Sequence, residues 1–213
     1  TRFDRVVKIA EKFEPIALIE LFCKDAIVVV AGSTWLEDDK ELAHYVNNKK
    51  TTKFIIAPHD ITKDRLNECN KLYKQSVLFS SLNSYLPASD INTIIIDNVG
   101  MLSRLYKYAS MAYVGGGFGA DGVHNVLEAA VYGKPVVFGP EYEKFNEAIE
   151  LVESGGGITV KSALELEKVF DDLLSDRSKY DEKAAASLHY VYSNCGATEK
   201  IVDFVYKNLL LTS

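Results

Sequence analysis

Short, continuous apolar runs alternate with longer amphipathic stretches along the whole of this 213-residue chain. Runs at 27–31, 53–57, 76–80, 92–97, 111–115, 135–138 and 157–160 are four to six residues long, several of them rich in Val and Ile. That is the pattern of strands covered on both faces. Around them, helical spacing predicts helices over 16–22, 38–45, 62–73, 101–108, 124–132, 144–154, 163–174, 181–192 and 198–211. Residues 1–24 read as a charged lead-in, with Pro15 comfortable at the start of the 16–22 helix. Strands alternating with helices imply right-handed βαβ crossovers and a parallel sheet. With no linker-like or low-complexity segment to divide them, residues 1–213 are expected to form one doubly wound, Rossmann-like α/β domain.

In such a sheet, ligands bind beyond the carboxyl ends of the strands, where the strand order reverses. Small and polar residues gather at those ends: Gly32-Ser33-Thr34, Pro58-His59-Asp60, Asp97-Asn98 with Gly100 just beyond, and Gly115-Gly116-Gly117. The last group belongs to the central unit, YVGGGFGADGVHNVLEAAVYGKPVVFG, in which a strand runs into three glycines and a polar turn. His124-Asn125 is then expected to open a helix that Gly133 stops. A glycine bend before a helix N-terminus aims backbone N–H groups and a positive dipole end at an anion. The expectation is that a nucleotide's phosphate docks there. The bend matches neither G-x-G-x-x-G nor G-x-x-x-x-G-K-[ST], and tight α/β turns are glycine-rich for steric reasons alone. His124, Asn125 and Glu128 raise the functional reading, because His124 and Glu128 lie four apart and would share a helix face.

Each candidate has a bland counterpart. Ser33 and Thr34 either bond a phosphate or cap the next helix. His59 either donates to a ligand anion or caps its loop. Asp97 either orients a sugar or base or closes an Asx-turn. Glu128 either accepts both hydroxyls of a ribose or is a solvated carboxylate.

Composition narrows the partners. A net charge of −6 and a pI near 5.3, with no dominant basic stripe, argue against nucleic acid. No apolar run reaches membrane-spanning length. Cys23, Cys69 and Cys195 are widely spaced, which suggests reduced thiols in a cytoplasmic compartment and packing or surface roles. No metal-binding or Ser-His-Asp arrangement is present, and no residue stands out as a general base.

The segments GSTW (32–35) followed by acidic residues, PH (58–59), DNVG (97–100) continuing to LYKYAS, VGGGF, HNVLEAAVYGKPVVFGP and KFNEA resemble the Kdo transferases, as does the opening TRFDRV. That family transfers 3-deoxy-D-manno-octulosonic acid (Kdo) from CMP-Kdo to a lipid A precursor in lipopolysaccharide assembly. The resemblance implies a GT-B glycosyltransferase, two Rossmann-like domains across a cleft, with this chain as the C-terminal, donor-binding half. It implies no cofactor and no metal. Donor contacts would fall to Gly32, Ser33, Thr34, His59, Asp97, Gly100, Gly115, Gly116, Gly117, His124, Asn125 and Glu128. The catalytic base and the lipid acceptor surface would belong to an N-terminal half, so this chain is expected to bind donor weakly and transfer nothing. The whole protein would work at the cytoplasmic face of the inner membrane. The closing helix, 198–211, would cross to the other half, leaving an apolar face exposed here. Three motifs depart from the family: no Arg stands between Pro58 and His59, Met101 follows Gly100 where Glu is common, and Val123 and Ala129 flank the His124-to-Glu128 motif. A GT-B domain using a UDP-sugar, or a stand-alone nucleotide-binding module, are the rival readings.

Overall fold

A computed structural model describes residues 1–82 and 90–207. Seven parallel strands, β1 (Ile27–Thr34), β2 (Thr52–Pro58), β3 (Ser76–Leu78), β4 (Thr93–Ile95), β5 (Met111–Val114), β6 (Val136–Phe138) and β7 (Gly157–Thr159), pair in the order β3-β4-β2-β1-β5-β6-β7. The chain lays strands outward on one side of β1 and then returns to lay β5, β6 and β7 on the other. The order therefore reverses between β1 and β5, and the crevice lies at their carboxyl ends.

Alternate residues of each strand enter different cores. Val28 and Val30 pack on the face covered by α1 (Arg2–Glu11), α2 (Ala17–Cys23), α5 (Leu102–Leu105), α6 (Leu127–Ala130), α7 (Asn146–Glu153) and α9 (Arg177–Ser193). Val29 and Ala31 pack on the face covered by α3 (Leu36–Asn48), α4 (Lys63–Leu72) and α8 (Ala163–Ser175). Burial on both faces is why the strands read as unbroken apolar runs. Across the second core, Asp39 of α3 is fully buried, ion-pairs with Arg65 of α4 and accepts from the Tyr73 hydroxyl at 2.7 Å.

The lead-in is not irregular. Residues 2–11 form α1, which Thr1 and Asp4 start with reciprocal capping bonds and which buries Val6. Several elements are shorter than expected, among them the 76–80 run, which pairs only over β3 before a 3₁₀ turn at Phe79–Ser81, the 92–97 run, which pairs only over β4, and the 101–108 helix, which is one turn of α5 followed by 3₁₀. The last helix, α10 (Ala197–Lys207), buries none of its residues, and Ile201, Phe204 and Tyr206 are exposed. Its expected continuation through Leu209, Leu210 and Leu211 lies outside the described residues, as does most of the loop after Ser80. Asp4 joins α10 to α1, accepting from the Gly196 and Thr198 N–H groups and the Thr198 hydroxyl. Bonds from Thr1, Thr198 and Gly196 hold its carboxyl well below the ordinary carboxylate range. Among the described residues, no helix is long and apolar enough to cross a membrane.

Candidate functional site

The triple-glycine bend closes on the protein itself. Gly115 N–H donates to the Gly32 carbonyl at 2.8 Å, and a Cβ on Gly115 would lie 2.4 Å from the Ser33 carbonyl oxygen. Gly117 abuts Gly139 as closely, at 2.6 Å. Gly116, at φ +93°, turns its N–H onto the Asp38 carboxylate at 2.8 Å. Asp38 also accepts from the Tyr113 hydroxyl at 2.7 Å and the Trp35 N–H at 2.9 Å, and it is fully buried. Burial raises its pKa, against the pull of those bonds. The expected phosphate cradle at Gly116 is thus filled by the chain's own carboxylate. Gly32 is likewise set by packing, since a Cβ there would meet the Tyr106 hydroxyl at 2.2 Å.

The helix of 124–132 contracts to the single turn α6, so His124 and Asn125 precede it in irregular chain and do not share a helix face with Glu128. Asn125 caps that turn, accepting from Leu127 N–H at 3.2 Å while donating to Glu128 at 3.0 Å. His124 belongs to a ring cluster at the ends of β1, β2 and β5. Its Nε2 accepts from the Trp35 indole N–H at 2.9 Å, with the two rings near coplanar at 16°. The exposed His59 ring stacks over that pair, at 4.4 Å from His124 and 4.6 Å from Trp35. The indole bond fixes His124 as the neutral Nδ1–H tautomer. Burial, and then the neighbouring His59, lower its pKa. Trp35 is the member of this ring cluster that residue-type reasoning did not single out. Its signal was an aromatic at the first position beyond a strand-end polar loop.

Neither Ser33 nor Thr34 caps α3, whose start is held by Asp38 bonding Trp35 N–H. Ser33 adopts φ +55° in the bulge that ends β1, a left-handed conformation costing about 1 kcal/mol. Thr34 is fully buried with its hydroxyl unpartnered. Such strain and such an orphan donor cluster at functional sites. Asp97 is taken up by Ser80, whose N–H it accepts at 3.0 Å along with the hydroxyl.

A cavity of about 350 Å³ opens beside His124. Val123, His124, Asn125 and Glu128 form one wall, Arg5 and Val6 of α1 another, and Phe145 and Glu147 a third. Burial raises the Glu128 pKa, partly offset by the Asn125 bond and the charge of Arg5. Arg2 at the rim pairs with Glu147 at 2.9 Å. Neither the three glycines nor Gly100 lines this space. The thiols of Cys23 and Cys69 are each pushed up to about 12 by burial, which makes them poor nucleophiles at neutral pH. Among the described residues, no cluster of His, Cys, Asp or Glu is placed to hold a metal ion.

Seven parallel strands between two helical layers match the C-terminal domains of GT-B glycosyltransferases. The C-terminal CMP-Kdo-binding domain of WaaA from Acinetobacter baumannii superposes with a TM-score of 0.71 at 21% identity, covering 88% of this chain and 98% of that one. Anabaena HepE in complex with UDP-glucose gives 0.60 at 16% identity, over 91% of this chain and 54% of HepE. In sequence, the chain groups with the 3-deoxy-D-manno-octulosonic acid transferases, as their C-terminal domain. The enzyme from Aquifex aeolicus is 33% identical over 163 residues, 73% of this chain and 45% of the relative. The chain spans less than half the length of the curated relatives it matches. No family model matches it.

Proposed function

We propose that this chain holds CMP-Kdo for an enzyme that transfers Kdo to a lipid A precursor at the cytoplasmic face of the inner membrane. The observation that carries the reading is the cavity bounded by His124, Asn125 and Glu128, found in a chain whose sequence relatives are Kdo transferases. Its volume suits a nucleotide. Glu128, as carboxylate, accepts the two ribose hydroxyls, and Asn125 holds Glu128 in place through its amide. His124, pinned by Trp35, presents Nδ1–H as a donor to the phosphate. Arg5 adds the positive charge that this chain lacks between Pro58 and His59. His59 and the strained Ser33 border the same crevice.

No metal or cofactor enters this scheme. The base that activates the acceptor hydroxyl, and the surface that meets the lipid, come from the N-terminal half of the enzyme. The exposed Ile201 and Phe204, which share one side of α10, pack against that half.

The test is calorimetric titration of the chain with CMP, CDP, UDP and UDP-glucose. Cytidine nucleotides are expected to bind and to raise Tm. Binding by uridine nucleotides alone would remove CMP-Kdo as the donor.

A further inference from the structure

The Trp35–His59–His124 cluster gives its two imidazoles different duties. His124 has no nitrogen left for a second proton: Nδ1 carries one, and Nε2 accepts the Trp35 indole N–H at 2.9 Å. A proton on Nε2 would set two N–H groups against each other and break that bond. His59 is under no such restraint. Its ring is exposed, and among the described residues none bonds its nitrogens. It lies over the seam between the other two rings, 4.6 Å from the indole at 24° and 4.4 Å from His124 at 16°. A cation within about 6 Å of an indole face is stabilised by the ring's quadrupole. With the imidazoles this close, a proton on one opposes a proton on the other. Burial, and then His59, keep His124 neutral. The pair therefore holds one proton at a time, and the indole directs it to His59.

The charged groups around the stack leave that arrangement standing. Asp60, the residue after His59, accepts from the Thr62 N–H and hydroxyl, both at 2.9 Å. Asp38 is buried and accepts from the Trp35 backbone N–H at 2.9 Å. Asp121, on the loop before His124, draws a proton toward His124 less strongly than burial and His59 oppose it. Arg5 and Glu128 line the same cavity as His124.

We propose that a phosphate arriving beside His124 loads one proton from solvent onto His59, so that the stack works as a proton-coupled anion clamp in which His124 donates Nδ1–H and His59 supplies the charge. This rests on the reading of the cavity beside His124 as the site of a phosphate-bearing ligand. An opposite charge within about 6 Å favours the charged form of an imidazole. An oxyanion bonded to His124 comes within about that reach of a ring stacked 4.4 Å away. Binding is then strongest with His59 protonated, and it weakens as pH rises through the His59 titration. Trp35 acts through His124 as a positioning residue, since its N–H keeps the donor and the charge on separate rings.

The test compares the wild-type chain with His59→Gln and Trp35→Phe, once circular dichroism has confirmed folding. NMR of the imidazole rings first follows the ligand-free proteins from pH 5.5 to 8.5. In wild type His59 should take the proton while His124 keeps its Nδ1–H form, and in Trp35→Phe His124 should titrate as well. CMP is then titrated at pH 6.0 and at pH 8.0. Wild-type affinity should fall over that range by about tenfold more than that of His59→Gln, the equivalent of one pKa unit of coupling. Titration of the CMP phosphate and of Glu128 occurs in both proteins and cancels in the comparison. Calorimetry in buffers of different ionisation enthalpy should show the matching extra proton uptake in wild type. Equal pH dependence in the two proteins overturns the proposal. So does a proton that settles on His124 first, or a His124 that stays neutral in Trp35→Phe. If wild type binds no CMP, the nucleotide reading fails separately, and sodium sulfate, which does not titrate in this range, becomes the probe. It must raise the His59 midpoint in wild type more than sodium chloride of equal ionic strength does, and an equal effect of the two salts sinks the clamp.

Discussion

Two polar corners flank the crevice between β1 and β5, and they have opposite fates. The glycine bend at 115–117 has the outward form of an anion cradle, but Asp38 supplies the anion from within. The 123–128 corner has a plainer sequence, yet its His124, Asn125 and Glu128 side chains line an open cavity. The difference lies in what faces each one. The first turn of α3 leans a buried carboxylate over the bend, whereas the 123–128 corner faces α1, which brings Arg5 and a gap. A backbone N–H pointing into a crevice is a ligand site only if no side chain of the fold has reached it first.

The largest expected effect comes from emptying the first corner. Asp38→Ala strands the Gly116 and Trp35 N–H groups and the Tyr113 hydroxyl in the interior, and should cost roughly 3–5 kcal/mol in urea unfolding. A variant that keeps wild-type stability and gains phosphate affinity would reverse the assignment of the two corners. Gly117→Ala is next. Its methyl group would meet the Gly139 backbone at 2.6 Å, and overpacking there should cost about 1–3 kcal/mol. Full retention of Tm would mean that the bend is pliable enough to admit a ligand.

The second corner should respond in binding and not in folding. Glu128→Gln is expected to weaken CMP by about tenfold while shifting stability by less than about 0.5 kcal/mol. Because burial raises the Glu128 pKa above 4.5, the folded state holds its proton more tightly than the unfolded state. Its protonated form adds stability that is fully present below pH 4.5 and is lost as pH rises through the folded value. CMP affinity runs the other way, rising as the carboxylate forms. A flat affinity from pH 4.5 to 7.5 in wild type would exclude Glu128 as the hydroxyl acceptor.

The smallest effect concerns His124. Its folded pKa lies below 6.5, so the neutral ring contributes stability above pH 6.5 that is lost as pH falls through the folded value. His59→Ala removes the second cause of that depression, and proton NMR should find His124 titrating higher in the variant. No movement would mean that burial alone sets the value.

Much of the fold was legible because a sheet buried on both faces writes itself as Val- and Ile-rich runs, and all seven runs do pair. Helix α1 was read only as a charged start because Arg2, Asp4, Arg5, Lys8 and Glu11 interrupt its apolar residues, although Thr1 and Asp4 spelled out its capping box. The helix after His124 was overextended, since helical spacing over 124–132 does not reveal that Asn125 caps a turn starting at Leu127. At the candidate site, His124, Asn125 and Glu128 were singled out by residue type, and the structure brings them to one cavity. Gly32, Gly115, Gly116 and Gly117, read as donor contacts, also have a packing reason to be glycine, and Asp38 takes up the Gly116 N–H. Acidic residues in a first helical turn look like dipole partners. Only tertiary structure shows that Asp38 and Asp39 are both buried.

Asp4 gives α1 a second duty. The helix that brings Arg5 to the cavity beside His124 is also the peg on which α10 hangs, through bonds to Gly196 and Thr198. A body that takes hold of the greasy side of α10 therefore tugs on Arg5 by way of a single carboxylate. The lining of the cavity beside His124 is in this way harnessed to whatever the tail is fastened to.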